Sequence, residues 1–332
     1  MHQAPSQVDV AKLAGVSPTT VSRVLNNRGY LSQHTKDRVA QAIEELNYRP
    51  NEVARALLGQ RTKMIGVIMP TVALPFFGEV VVGLEHALER RGYRLILCNS
   101  LGRAEQEREY LELLMNNRVD GIISGAHNDA IPEYAEITLP VVTIDRELSP
   151  HIPNVRCDNE SGGRLATELL LRRGCRRPAL LTSTSGPRNL REAGYRSVLA
   201  KAGIEPTIGT VNFHTPEPLR SQQIGRWLEK WLPSVDGIFA TDDLMAGTVL
   251  GWAARARIAV PDQLRVVGFD GTDAVRRALP MLTTIRQPIP LICRSAVDLL
   301  LDRIDGKTQA PVGRHRVEPL EFPVTLIEAQ TT

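Results

Sequence analysis

From residue 64 onward the chain alternates short apolar runs with longer amphipathic stretches, and this constrains its fold more than any other feature. Residues 64–69, 94–98, 121–124 and 141–144 read as buried strands. Helices fall between them at 76–91, closed by Gly92, and at 106–117. The pattern resumes with a helix at 161–173, a strand at 178–182, a helix at 190–202 and a strand near 210. It continues with a helix at 219–232, a strand at 237–240, a helix at 243–256 and a strand at 265–269. A last helix spans about 291–305. Strands separated by helices pair in parallel, with helices on both faces of the sheet. Val119-Asp-Gly-Ile122 recurs as Val235-Asp-Gly-Ile238, each time between an amphipathic helix and a strand. The echo implies two similar doubly wound halves. Ligands bind such sheets at the carboxyl ends of the strands, so two facing halves make a cleft.

The N-terminus has a different pattern. Val8, Val10, Ala11 and Ala14 place apolar groups on one face of a short helix, and Gly15 permits a sharp turn. Ser17 reads as an N-cap with Pro18 at the first helical position. Val21, Val24 and Leu25 form the buried stripe of a second helix. Its other face carries Thr19, Thr20, Ser22, Arg23 and Asn26, short hydrogen-bonding groups with one guanidinium. Such a face fits the major groove of DNA. A third helix runs from Ser32 to about Leu46, with Val39, Ala42 and Ile43 on its apolar side. Residues 52–58 read as one to two further helical turns, too short to be stable alone. A linker, 59–63, follows.

Charge agrees with this division. Residues 1–63 hold nine Lys/Arg against five Asp/Glu, and the remainder holds 31 against 32. A basic head on a neutral body is the footprint of a DNA-binding protein. The four cysteines lack CxxC spacing, and the seven histidines form no ligand cluster, so reduced thiols and no metal are expected. No apolar run of about 18 residues and no leader-like N-terminus is present, which points to a cytoplasmic protein outside the membrane.

The head contains Asp9-Val-Ala, Ala14-Gly-Val-Ser17, Thr20-Val-Ser-Arg23, Leu25-Asn26, Tyr48-x-Pro-Asn51 and Ala54-Arg55. The body contains Asp158-Asn159, Val267-Gly-Phe-Asp270, Pro280-x-Leu-Thr-Thr284 and Gln287-Pro288. With these motifs the whole chain resembles the LacI/GalR family of bacterial transcription repressors. The resemblance implies a small all-α helix-turn-helix head, residues 1–50, and a hinge helix with linker, 51–63. It implies an α/β body, 64–332, like a periplasmic sugar-binding protein, with two doubly wound parallel-sheet subdomains. The first subdomain would take about 64–159 plus 290–318, and the second 160–289 plus 319–332. Such repressors are homodimers or tetramers on pseudo-palindromic operators. Base readout would fall at Pro18, Thr19 and Arg23, with Pro18 limited to contact or helix initiation. Ser17, Thr20, Ser22, Asn26 and Arg55 complete the expected DNA-binding set, and Leu57 matches the hinge leucine that wedges into the minor groove. Leu58 competes with it.

The pocket motifs resemble those of ribose-binding proteins and ribose-type repressors. They imply an effector site of Phe76, Phe77, Asp145, Arg146, Arg191, Asp242, Asp270 and Gln287. Aromatic faces stack on a sugar ring, and carboxylates and guanidinium groups hold adjacent hydroxyls. Few cationic groups are expected for a phosphate. These motifs favour a ribose-like pentose as effector; Leu74 and Asp242 stand where Asn is usual, which keeps another pentose and the fructose unit of sucrose as alternatives. A regulator gated by a phosphoprotein partner is the alternative within the family. A transport protein would lack the head. An enzyme would need a motif such as GxSxG or a P-loop, and none occurs. The expected function is therefore a repressor, not an enzyme, with no cofactor and a small sugar as effector.

Overall fold

The computed structural model of the chain describes residues 5–25, 29–48, 61–128, 131–307 and 316–332. The chain divides into two compact units, Met1–Thr62 and Lys63–Thr332.

The first unit holds helices α1 (Gln7–Ala14), α2 (Pro18–Leu25) and α3 (Gln33–Glu45). Ser6 and Asp9 form a reciprocal capping box at the start of α1, and Gly15 ends it at φ 62°. Ser17 Oγ accepts the Thr20 N–H at 3.1 Å, capping α2. Ser32 caps α3 in the same way. Val10, Ala11, Ala14, Val21, Val39 and Ala42 make the core, with Val24, Leu25, Ile43 and Leu46 packed against it. Arg38 ties α3 to the turn by donating to the carbonyls of Ala14 and Gly15. Val8 departs from the sequence expectation and is 48% exposed. At 3.6 residues per turn it lies roughly a third of a turn away from the buried trio of α1. The expected hinge segment, with Arg55, Leu57 and Leu58, and also Asn26, lie outside the described residues.

The second unit begins with β1 (Met64–Met69), α4 (Pro75–Glu89), β2 (Arg94–Asn99), α5 (Ala104–Asn116) and β3 (Gly121–Ser124). Then come α6 (Glu133–Glu136), β4 (Val141–Ile144), β5 (Asn154–Cys157) and α7 (Asn159–Arg172). Next are β6 (Pro178–Thr182), α8 (Leu190–Ala202), β7 (Thr207–Thr210), α9 (Leu219–Trp231), β8 (Gly237–Ala240) and α10 (Asp243–Ala256). The chain ends with β9 (Arg265–Asp270), α11 (Asp273–Ala278), β10 (Thr283–Arg286), α12 (Ile289–Ile304), β11 (Leu320–Phe322) and β12 (Thr325–Ile327). The first sheet has the order β11-β5-β4-β3-β1-β2 and the second β12-β10-β9-β8-β6-β7. All neighbours are parallel except β12, which runs antiparallel to β10.

The repeated tetrapeptide occupies matching places in the two sheets. β3 lies beside β1, and β8 lies beside β6. In each case the aspartate ties down the chain entering the neighbouring strand. Asp120 accepts the Lys63 N–H at 3.0 Å, and Asp236 accepts those of Arg176 and Arg177 at 2.8 and 2.9 Å.

The chain passes between the two sheets three times. Helix α12 returns to the first lobe, burying Ile292, Cys293, Ala296, Val297 and Leu300. One boundary differs from the sequence expectation: β11 pairs with β5, so residues 320–322 belong to the first sheet rather than the second. β5 (NVRC) and β10 (TTIR) lack the continuous apolar run that marks four-residue strands such as β3, β4 and β8, and β11 and β12 have only three residues each, so the sequence pattern does not reveal them.

Candidate functional site

In the first unit, Ser17, Pro18, Thr19 and Arg23 are exposed along α2, while Thr20 and Ser22 are half-buried. The Ser17 and Thr20 hydroxyls lie 2.9 Å apart, occupied with each other at the cap. The remaining outward side chains can reach a DNA groove, and Arg23 carries the only guanidinium on this helix.

In the second unit, a cavity of about 920 Å³ opens at the carboxyl ends of both sheets. Phe76, Phe77, Asp145, Arg146, Arg191, Asp242 and Asp270 all line it. Asp145 follows β4 at φ 67°, and Asp270 ends β9 at φ 108°. Both conformations are sparsely populated by residues with a side chain and are held only where the surroundings fix them. Strand pairing does so here: the Asp145 N–H donates to Val155, and the Asp270 carbonyl accepts from Gln287.

Arg191 is the centre of the site. Its guanidinium lies 3.7 Å above the Phe269 ring. Nε donates to Asn159 Oδ1 at 2.7 Å, and Nη1 donates to the Thr241 carbonyl. Asp145 and Asp270 stand 3.8 and 3.7 Å from it, one contributed by each lobe. The side chain can reach this point because α7 and α8 cross at van der Waals contact. A Cβ at Gly163 would stand 2.2 Å from the Arg191 carbonyl, and one at Gly194 would stand 2.2 Å from that of Glu160.

The carboxylates titrate in opposite directions. Burial would raise Asp145, but His127, Arg191 and Arg146 outweigh it and hold the carboxyl below the usual range. Burial drives Asp270 well up, and its neighbours Asp243 and Asp242 add to this against Arg191 and Gln287. Asp243, which accepts Thr284 Oγ1 at 2.6 Å and the Gly271 N–H at 2.8 Å, is pushed up to about 7, mainly by burial.

Gln287 is the exception among the expected effector residues. It is buried and does not line the cavity; its Nε2 donates to Asp270 Oδ1 at 2.9 Å. It therefore orients a wall residue from behind. Asp242 lines the cavity but is already engaged: Oδ1 caps α10 by accepting the Met245 N–H at 2.7 Å, and Oδ2 accepts Arg220 Nη2 at 2.8 Å. Leu74 precedes α4 with no side-chain cap, so no polar group replaces the usual Asn there. The sequence reading missed His127, Asn159, Phe213, Thr241 and Asp243 on the wall. Most of them follow the carboxyl end of a strand, a positional signal that needs the strand register. It also undercounted cations, since Arg156, Arg188 and Arg316 reach the wall as well. Five arginines face five acids there. Arg156 pairs with Glu321 at 2.7 Å and Arg316 with Glu147 at 3.2 Å, so much of this charge is balanced within the protein.

Among the described residues, no group of three His, Cys, Asp or Glu side chains could hold a metal ion. None of their helices is long and apolar enough to cross a membrane.

Residues 8–51 match the model of the lacI family of bacterial regulatory proteins, and residues 167–322 match a periplasmic binding protein-like domain. The sucrose operon repressor of Streptococcus mutans is 43% identical over 328 residues, covering 97% of this chain and 98% of that protein. The chain belongs to the LacI family. Another LacI-family relative, the ribose operon repressor of Halalkalibacterium halodurans, is 37% identical over 326 residues, covering 98% and 96% of the two chains. The structure of a lac repressor dimer bound to operator and the anti-inducer ONPF superposes with a TM-score of 0.83 at 28% identity, covering 99% of each chain. The family's helix-turn-helix is the pattern read at Val10 to Leu25, and its two-lobed body is the pair of sheets around Arg191.

Proposed function

We propose that this chain is a transcription repressor that grips operator DNA through α2 and releases it when a small neutral sugar closes the cavity. The observation that carries this reading is Arg191 held between Asp145 of one lobe and Asp270 of the other, beside the Phe76 and Phe77 rings. Acceptors and donors so placed, with Asp145 held ionised and Arg191 cationic, suit adjacent hydroxyls, and the rings suit sugar C–H faces. Arg156 and Arg316 are already paired with Glu321 and Glu147, which leaves few wall cations for a phosphate and favours a neutral ligand. A cavity of about 920 Å³ has more room than a pentose fills, and it lies at the upper end of the roughly 300–1,000 Å³ of small-molecule sites. This, with the likeness to a sucrose operon repressor, favours sucrose or its fructose unit over ribose. The repressor acts as a homodimer on a pseudo-palindromic operator, as the likeness to a dimeric lac repressor suggests.

A ligand shifts an equilibrium only by its differential affinity for the two states, and the coupling is reciprocal. Calorimetry of the full chain with sucrose, D-fructose and D-ribose, with and without operator, tests the reading. The sugar that binds should weaken operator binding by a factor of about 5–150, and operator should weaken sugar binding equally. Asp270→Asn should bind operator normally and ignore sugar. A sugar that tightens the operator complex, or binding of a phosphorylated ligand alone, refutes the proposal.

A further inference from the structure

His127 follows β3 by three residues and belongs to no expected site. Its imidazole packs against Phe77 of its own lobe at 5.3 Å and Phe213 of the second lobe at 5.1 Å. The contact between lobes continues on this side. Phe77 meets Phe213 at 6.1 Å, the Gly102 backbone abuts the His214 ring, and Glu79 accepts the Asp273 N–H at 3.0 Å. Both ring nitrogens of His127 are buried without a hydrogen bond. Nε2 has only a long approach of 3.4 Å to Asp145 Oδ2, through which it supports that carboxylate, and Nδ1 makes no hydrogen bond. Burial drives the imidazole pKa down against the opposing pull of Asp145, so the ring is neutral at pH 7. A neutral imidazole still carries one donor and one acceptor, and each wants a partner.

We propose that His127 acts as a spring against closure of the cleft: the lobes meet only by shutting its ring away from water, with Nδ1 left unbonded and Nε2 left only its long approach to Asp145. A buried polar atom left unpaired lowers an equilibrium constant roughly fivefold or more. Moving Phe213 away lets water reach the ring and removes the penalty. The sugar must overcome this penalty to close the lobes, which keeps the unliganded protein open. The link from closure to operator release rests on the function proposed above; the bias toward the open form does not.

The test is His127→Phe, which keeps the aromatic packing and removes both nitrogens, with His127→Leu as a second apolar variant. Small-angle scattering of the unliganded full chain should give a smaller radius of gyration for both variants than for the wild type. Calorimetry should show whichever of sucrose, D-fructose or D-ribose binds the wild type binding both variants at least fivefold tighter. Operator affinity without sugar should fall. An unchanged radius of gyration overturns the spring. Weaker sugar binding overturns it too, and would make His127 a direct sugar contact. If none of the three sugars binds the wild type, the effector reading fails, and the scattering comparison still decides the spring.

Discussion

Replacing Arg191 by methionine should unfasten the body while leaving the head untouched. The side chain is 16% exposed, and its two acidic neighbours are 14% exposed, so water screens the group only in part. Methionine keeps the apolar stem over Phe269 but removes the donors to Asn159 and Thr241. Taking one partner from a buried ion pair costs about 3–5 kcal/mol. At about 2–4 °C per kcal/mol for a domain approaching this size, the body's Tm should fall by roughly 6–20 °C. The loss should depend on pH with a definite sign. Arg191 opposes the upward shift of Asp270, so without it the Asp270 pKa rises further. An acid whose folded pKa is raised contributes stability that is complete below its unfolded value and is lost as pH rises through the folded one. The Tm deficit should therefore be smaller at pH 5 than at pH 8, and adding Asp270→Asn should recover part of it at pH 8. Differential scanning calorimetry across that range reads all three effects. A deficit below 2 °C, or one equal at both pH values, would refute the account of Arg191 as the clamp between the carboxylates.

Two further outcomes follow from the same geometry. Arg23→Ala should weaken specific operator binding by about 1–3 kcal/mol and relax discrimination at one base pair; footprints on operator variants would reveal unchanged base preference if Arg23 instead serves the phosphates. Asp243 has a raised folded pKa, so it sheds stability as pH rises from about 4 to about 7. Asp243→Asn, with its amide turned toward Thr284 and its oxygen toward the Gly271 N–H, should flatten the Tm-against-pH curve over that window, and an unaltered slope would contradict the assignment.

The head was legible because its signals are local. Ser17, Pro18 and Gly15 mark a cap, a helix start and a turn within four residues, and the structure places each as its chemistry requires. The long helices and the apolar strands were legible from periodicity, and the repeated Val-Asp-Gly-Ile revealed the two halves. What stayed hidden depends on register. β5 and β10 mix polar and apolar residues over four positions and become strands only through their neighbours. Gln287 could not be told from a wall residue by sequence, because whether it faces the cavity or the back of Asp270 depends on the pairing of β10 with β9. His127 carries no motif at all; only the closeness of Phe77 and Phe213 gives it a role.

The threefold passage of the chain between the sheets sets an order for synthesis. A ribosome releases the head as one contiguous stretch, free to fold as it emerges. The first lobe cannot be finished so early. Its sheet lacks β11, and its apolar face lacks α12, until residue 322 has been made. The second sheet lacks its edge strand β12 until residue 327. For most of its synthesis the growing body therefore displays the groove meant for Ile292, Ala296 and Leu300 together with an open edge at β5. Such surfaces invite chaperones or self-association. A message cut short before residue 289 would yield a complete head carried by two unfinished lobes.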